Sequence, residues 1–211
     1  MSRTRATAVA AVLGLGIATL SACSSDTSQD AAAKPITKAL DQGEITQALP
    51  GAGEVLPGWE PYKGKRVASD GTGCAASQSE SSSKGWVRAG SAWFTHEGST
   101  NNMMDVDICL YDTPENSKTA YAAWKGKESE KEKASEEPVG EESAFVMNPG
   151  KSEDTIYAFS RSGNVNLRVK IEGAGADTTG VSDVLAATLK RLQQVQDGER
   201  ATATAAEQAK K

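Results

Sequence analysis

Two stretches of alternation constrain this chain more than anything else in it. Met104, Val106, Ile108 and Leu110 are apolar, and Asp105, Asp107 and Cys109 stand between them. Val165, Leu167, Val169 and Ile171 repeat the pattern around Asn166, Arg168 and Lys170. A period of two is that of a strand with one face buried and the other wet. Ser162-Gly163-Asn164 joins the second stretch to a β-prone run at 155–161, which is a hairpin signal. Hairpin-connected strands buried on one face argue for an antiparallel sheet. Asp105 and Asp107 can then meet Arg168 and Lys170 on the solvated face, where opposite charges contribute about 0.2–1 kcal/mol per pair. Cys109 leaves on that polar face, within reach of a loop.

The other elements follow from local signals. Trp86 to His96 reads as a strand with Val87, Ala89, Ser91, Trp93 and Thr95 on one face. Residues 98–102 carry turn chemistry, and 144–147 form a short strand. Ile36, Leu40, Ile45 and Leu49 fall roughly on one helical face, interrupted at Gly43 and stopped by Pro50-Gly51. Pro57-Gly58-Trp59 is a turn that drops an aromatic onto the domain. Residues 71–85 form a Gly/Ser-rich loop carrying Cys74. Thr113 is an N-cap with Pro114 as first helical residue, and Ser117, Tyr121 and Trp124 line that helix. Residues 125–137 read as a solvated helix end and loop. Val181, Val184, Leu185, Thr188, Leu189, Leu192 and Val195 give the cleanest amphipathic helix. After Gly198 the chain is Ala, Thr and charge, and is expected to fray. The predicted class is α+β: an antiparallel β-sheet with helices packed on one face and one disulfide.

The N-terminus carries an address. Arg3 and Arg5 precede an uncharged run at 6–20. Fifteen residues of helix rise only about 22 Å, short of a hydrocarbon core about 30 Å thick. The layout is a secretory signal, and Thr4 between the arginines departs from the twin-arginine form. Leu20, Ser21, Ala22 and Cys23 then resemble the lipobox of bacterial lipoproteins at all four positions. The resemblance implies a diacylglycerol on the Cys23 sulfur and cleavage before it. The competing account is an ordinary signal peptide, with Cys23 left free or in a disulfide. Two acyl chains anchor stably where one is marginal. The expected organisation is a signal peptide at 1–22, a flexible polar tether at 23–35, one domain at 36–197 and a tail at 198–211.

With Cys23 lipidated, Cys74 and Cys109 remain, and in an oxidising compartment they are expected to bridge. The alternative is two unpaired thiols. A metal role is weaker, because neither has a second ligand two to four residues away. The formal net charge of −5 and the lack of a Lys/Arg cluster argue against nucleic acid.

Catalytic signatures are sparse. Asp105 and Asp107 can seed a calcium site only if more oxygens join them, and no EF-hand spacing follows. His96 is the only histidine and lacks a nucleophile or acid partner in sequence. No G-x-S-x-G elbow or phosphate-cradling glycine loop is present. No cofactor, metal site or enzymatic activity is expected. Trp59, Trp93, Trp124 and Tyr157 are candidates to line a ligand pocket, with core packing as the plainer account.

A looser resemblance spans about residues 45–195. The Leu56-Pro57-Gly58-Trp59 turn, the Cys-bearing strand leading to a Tyr/Trp helix, Pro138-Val139-Gly140-Glu141, the Arg161-Ser162-Gly163-Asn164-Val165 hairpin and a closing helix carry it. Together they resemble actinobacterial lipoproteins similar to the extracellular sensor domain of PknH-type mycobacterial receptor kinases. Those domains carry two disulfides, whereas Cys74 and Cys109 allow one here. Lipoproteins resembling the photosystem accessory protein PsbP share a similar sheet with flanking helices. The expected function is a membrane-anchored, extracytoplasmic ligand-binding or sensor-like module for a small envelope molecule or protein partner. A structural lipoprotein without a small ligand and an envelope enzyme using Asp105, Asp107 or His96 are the alternatives.

Overall fold

The strands form one antiparallel sheet in the order β1-β2-β3-β7-β6-β5-β4. They are β1 (Trp59–Ala68), β2 (Trp86–His96), β3 (Ser99–Tyr111), β4 (Glu132–Lys133), β5 (Glu142–Asn148), β6 (Thr155–Ser162) and β7 (Val165–Glu172). Helices α1 (Gln42–Ala48), α2 (Pro114–Gly126), α3 (Thr179–Gln196) and α4 (Ala205–Gln208) flank it. The computed structural model describes residues 34–68, 71–75, 83–126, 132–133, 137–148, 155–173 and 179–210. Cys23, the segment expected to be a signal peptide and nearly all of the expected tether lie outside the described residues.

The alternating stretches pair directly. Ile108 stands opposite Leu167, Asp107 opposite Arg168 and Asp105 opposite Lys170. Cross-strand partners share a face, so one face is aliphatic: Met104, Val106, Ile108, Leu110, Val165, Leu167, Val169 and Ile171 are all at most 1% exposed. Val181, Val184, Leu185, Leu189, Leu192 and Val195 of α3 cover it, with Ile45 and Leu49 from α1 and its C-cap. Helix α1 is shorter than the sequence pattern suggests. Asp41 and Glu44 form a capping box that starts the helix there, so Ile36 and Leu40 reach the same core from extended chain. This leading segment docks on the β6–β7 turn, where the Asn164 amide donates to the Ile36 carbonyl at 2.8 Å. Gly163 has φ 56°, and a Cβ there would stand 2.1 Å from that carbonyl oxygen.

Three expectations need correction. The helices do not all lie on one face: α2 packs on the opposite side, against β3, β6 and β7. Its Ala120, Tyr121 and Trp124 are as buried as the aliphatic core and join Cys109, Tyr111, Val146 and Phe159. The Ser117 hydroxyl donates to Asn166 Oδ1 at 2.8 Å, and Asn166 Nδ2 donates back to the Ser117 carbonyl at 2.9 Å. The second face is therefore only partly wet.

The turn expected at 98–102 shrinks to Glu97-Gly98, both with positive φ, and β3 begins at Ser99. The chain after Gly198 does not fray. Ala201, Ala203 and Ala205 are buried, and the Ala205 amide donates to the Glu54 carbonyl at 3.0 Å. Small side chains at every second position let this segment lie flat against α3. The Gln194 side chain, bonded to the Thr202 and Ala203 amides, fixes it there.

Arg191 explains much of that closure. It is 3% exposed. Its guanidinium donates to the Ala48 carbonyl at 2.9 Å, to Gln47 at 3.0 Å and to Ala203 at 3.1 Å. It also pairs with Glu54 at 3.1 Å. One cation thus binds the C-terminal end of α1, where carbonyls lack helical partners, and the tail.

Cys74 and Cys109 form a disulfide with Cα atoms 5.9 Å apart. Both are at most 1% exposed. Cys74 lies in the short helical turn Thr72–Cys74, which the bridge holds on the second face. Closing a loop of this length contributes up to about 3.8 kcal/mol in the chain-entropy picture.

Candidate functional site

The four aromatic residues proposed for a ligand pocket do not converge. Trp124 is 1% exposed and packs edge-on against Phe159, with the Arg168 guanidinium 4.6 Å from its ring centre. Tyr157 stacks on Phe159 beside that cluster. Both serve the second-face core. Trp59 and Trp93 instead line two separate concavities, one on each side of the sheet.

The first concavity lies at the end of the aliphatic face and has a volume of about 260 Å³. Leu56, Ile171 and Val181 supply its apolar walls, and Trp59, His96 and Asn102 its polar-bearing ones. The register places Trp59 directly opposite His96, and their rings lie 5.4 Å apart at 58°. The preceding turn makes this contact. The Trp59 amide donates to the Leu56 carbonyl, and the Glu97 amide to the Gly58 carbonyl. Gly58 has φ 79°, and a Cβ there would stand 2.7 Å from His96 Nε2. A glycine is thus required both for the turn and for room beside the imidazole.

The second concavity, about 400 Å³, is lined by Tyr62, Lys63, Arg66, Trp93 and Met103. It lies on the other face, near the edge strand β1. Beside it runs a row of charge. Asp107 accepts from Arg168 Nη2 at 2.7 Å and from the Ser91 hydroxyl at 2.6 Å. Lys170 pairs with Glu172. Asp105 stands between Trp93 and Lys170 in the register, and its Oδ1 is buried with no hydrogen-bond partner among the described residues. Burial, reinforced by the charge of Asp107, pushes the Asp105 carboxyl up to about 6 against the pull of Lys170 and Arg168.

His96 lies on the opposite face of the sheet from Asp105 and Asp107. His96 and Asp107's partner Ser91 are five residues apart along β2, about 16 Å of strand. Asp107 is committed to Arg168 and Ser91. Among the described residues, no three His, Cys, Asp or Glu side chains cluster as a metal would need. No described helix is long and apolar enough to cross a membrane.

In the sequence His96 stands as an isolated histidine. Only the pairing of the two strand ends shows it against Trp59. Asn102, expected in a turn, reaches the pocket because β3 starts three residues earlier. Arg66 and Lys63 carried no signal, since a bulge between Pro61 and Lys65 breaks the alternation of β1 and hid the strand itself.

No protein-family model matches the chain, and no curated protein matches it in sequence. Its fold is similar to that of the extracellular domain of PknH from Mycobacterium tuberculosis. The TM-score is 0.54 at 11% identity, covering 76% of this chain and 98% of that one. At that identity the likeness is one of fold.

Proposed function

We propose that this chain is an extracytoplasmic lipoprotein whose domain is a ligand-binding, sensor-like module rather than an enzyme. The observation that carries the reading is the pocket of Leu56, Trp59, His96, Asn102, Ile171 and Val181. Apolar walls with a few convergent polar groups are the usual make-up of a small-molecule site. At about 260 Å³ it lies just below the common range of about 300–1,000 Å³, which suits a compact ligand rather than a lipid chain. Trp59 and His96 offer an aromatic wall and a hydrogen-bonding ring nitrogen, and Asn102 offers an amide. The similarity in fold to an extracellular domain of a kinase supports a sensing role. The lipobox at Leu20-Ser21-Ala22-Cys23 supports attachment to the outer face of a membrane through Cys23. A partner, in this reading, is a small envelope molecule or another envelope protein, and not nucleic acid.

Two experiments test it. The full-length chain, extracted from membranes in mild detergent, is analysed by native mass spectrometry. A small molecule should accompany the wild type and be lost from His96→Ala and Gly58→Ala, while an unchanged complement in both variants would sink the pocket. Separately, Cys23→Ser should move the protein from the membrane fraction to the medium. Unaltered partitioning would rule out the lipid anchor.

A further inference from the structure

The groove on the second face has a different chemistry from the pocket. Lys63 Nζ lies 4.9 Å from the centre of the Tyr62 ring, and the Arg66 guanidinium 5.6 Å from that of Trp93. Each cation is thus positioned by the negative face of an aromatic ring. Neither has a carboxylate within ion-pair distance among the described residues, although the chain as a whole is acidic.

The backbone contributes to this placement. Lys63 and Gly64 both have positive φ, at 63° and 71°, inside the bulge between Pro61 and Lys65. A lysine in that region is uncommon and costs energy, as happens at ligand-holding positions. Its neighbour Lys65 has a structural task, since its Nζ donates to the Thr46 and Leu49 carbonyls at the end of α1. Charged residues also protect an edge strand from pairing with another chain. Edge protection asks only that charges project outward. It does not account for two cations laid over rings around a space of about 400 Å³.

We propose that this groove binds an organic phosphate. The planar fork of Arg66 matches two phosphate oxygens, and Lys63 adds a second positive charge. Two cations that form no ion pair among the described residues favour a doubly charged phosphate over a singly charged carboxylate. Met103 and the ring edges of Tyr62 and Trp93 pack the organic body. The phosphate belongs either to a free ester or to a lipid headgroup.

The test uses the full-length chain, with the Trp93 indole N–H followed by NMR and assigned through Trp93→Phe. In one arm the protein in nonionic detergent at low salt is titrated with glycerol 3-phosphate, and with glycerol as the neutral control. In the other it is reconstituted into phosphatidylcholine nanodiscs with or without phosphatidic acid. A saturable shift with glycerol 3-phosphate identifies a free ester, and one that needs phosphatidic acid identifies a headgroup. In either arm Arg66→Gln should weaken binding about tenfold, and the Lys63→Gln/Arg66→Gln pair should abolish it. Thermal melting should stay at the wild-type midpoint, because both side chains are exposed. The proposal is overturned by no shift in either arm, by an equal response to glycerol, or by a response that survives the double substitution.

Discussion

The two faces of the sheet are built from the same strands and stabilised by different physics. The first face is mainly aliphatic and carries the pocket at Trp59 and His96 at one end. α1, α3 and the C-terminal segment close over most of it, and the buried cation in this layer, Arg191, has its donors matched to carbonyls and Glu54. The second face mixes a disulfide, aromatic packing under α2 and cross-strand ion pairs, and it leaves the groove at Trp93 open. Aliphatic burial needs no direction, so one long helix suffices to complete it. Polar and charged side chains need partners at set distances. A face made of them is satisfied only where an opposing element supplies those partners, and the described elements leave the groove at Trp93 uncovered.

That contrast can be broken most severely at Arg191. Arg191→Met strands the carbonyls of Gln47, Ala48 and Ala203 and takes the cation away from Glu54, and should cost about 3–5 kcal/mol in denaturant unfolding. Amide exchange of the tail should rise with it. A loss below about 1 kcal/mol would mean that water replaces the guanidinium freely. On the other face, Cys74→Ser with Cys109→Ser should cost about 2–4 kcal/mol and leave the secondary structure seen by circular dichroism in place. Asn166→Ala leaves the buried Ser117 hydroxyl without its acceptor and removes the second donor to the Ser117 carbonyl, and should cost about 1–3 kcal/mol, with α2 loosening before α3 in hydrogen exchange.

The smallest effect has the opposite sign. Because the Asp105 carboxyl is raised in the folded state from 3.8 to about 6, the native chain holds a proton that the unfolded chain releases. Stability from this group is therefore full below pH about 4, falls as pH rises toward 6 and stays low above it. Asp105→Asn should stabilise the protein by about 1 kcal/mol at pH 7.5 and by nothing near pH 3.5. A gain that does not depend on pH would show that the orphaned oxygen, rather than its charge, is at fault.

Much of the frame was legible in the residues. The alternation of β3 and β7 and the hairpin at Gly163 read correctly. So did the cap at Thr113, whose hydroxyl accepts from the Asn116 amide at 3.2 Å. These signals are local, because hydrogen-bond periodicity and turn sterics act within a few residues. β1 was not legible, since Pro61, the bulge and three cations, Lys63, Lys65 and Arg66, interrupt its pattern without removing its pairing. The candidate site was half legible. Trp59 and Trp93 were singled out, but so were Trp124 and Tyr157, and an aromatic in a core looks the same in sequence as one in a pocket wall.

By itself the sequence determined which side chains go inward on β3 and β7, that α3 is amphipathic, and that Cys74 had a partner in Cys109 once Cys23 was set aside. Those outcomes depend on period, composition and count. Tertiary structure decided which side of the sheet each helix covers, that an alanine-rich tail packs instead of fraying, and that Trp59 faces His96. These are contacts between residues far apart in the chain, with energies set by what each surface finds opposite it.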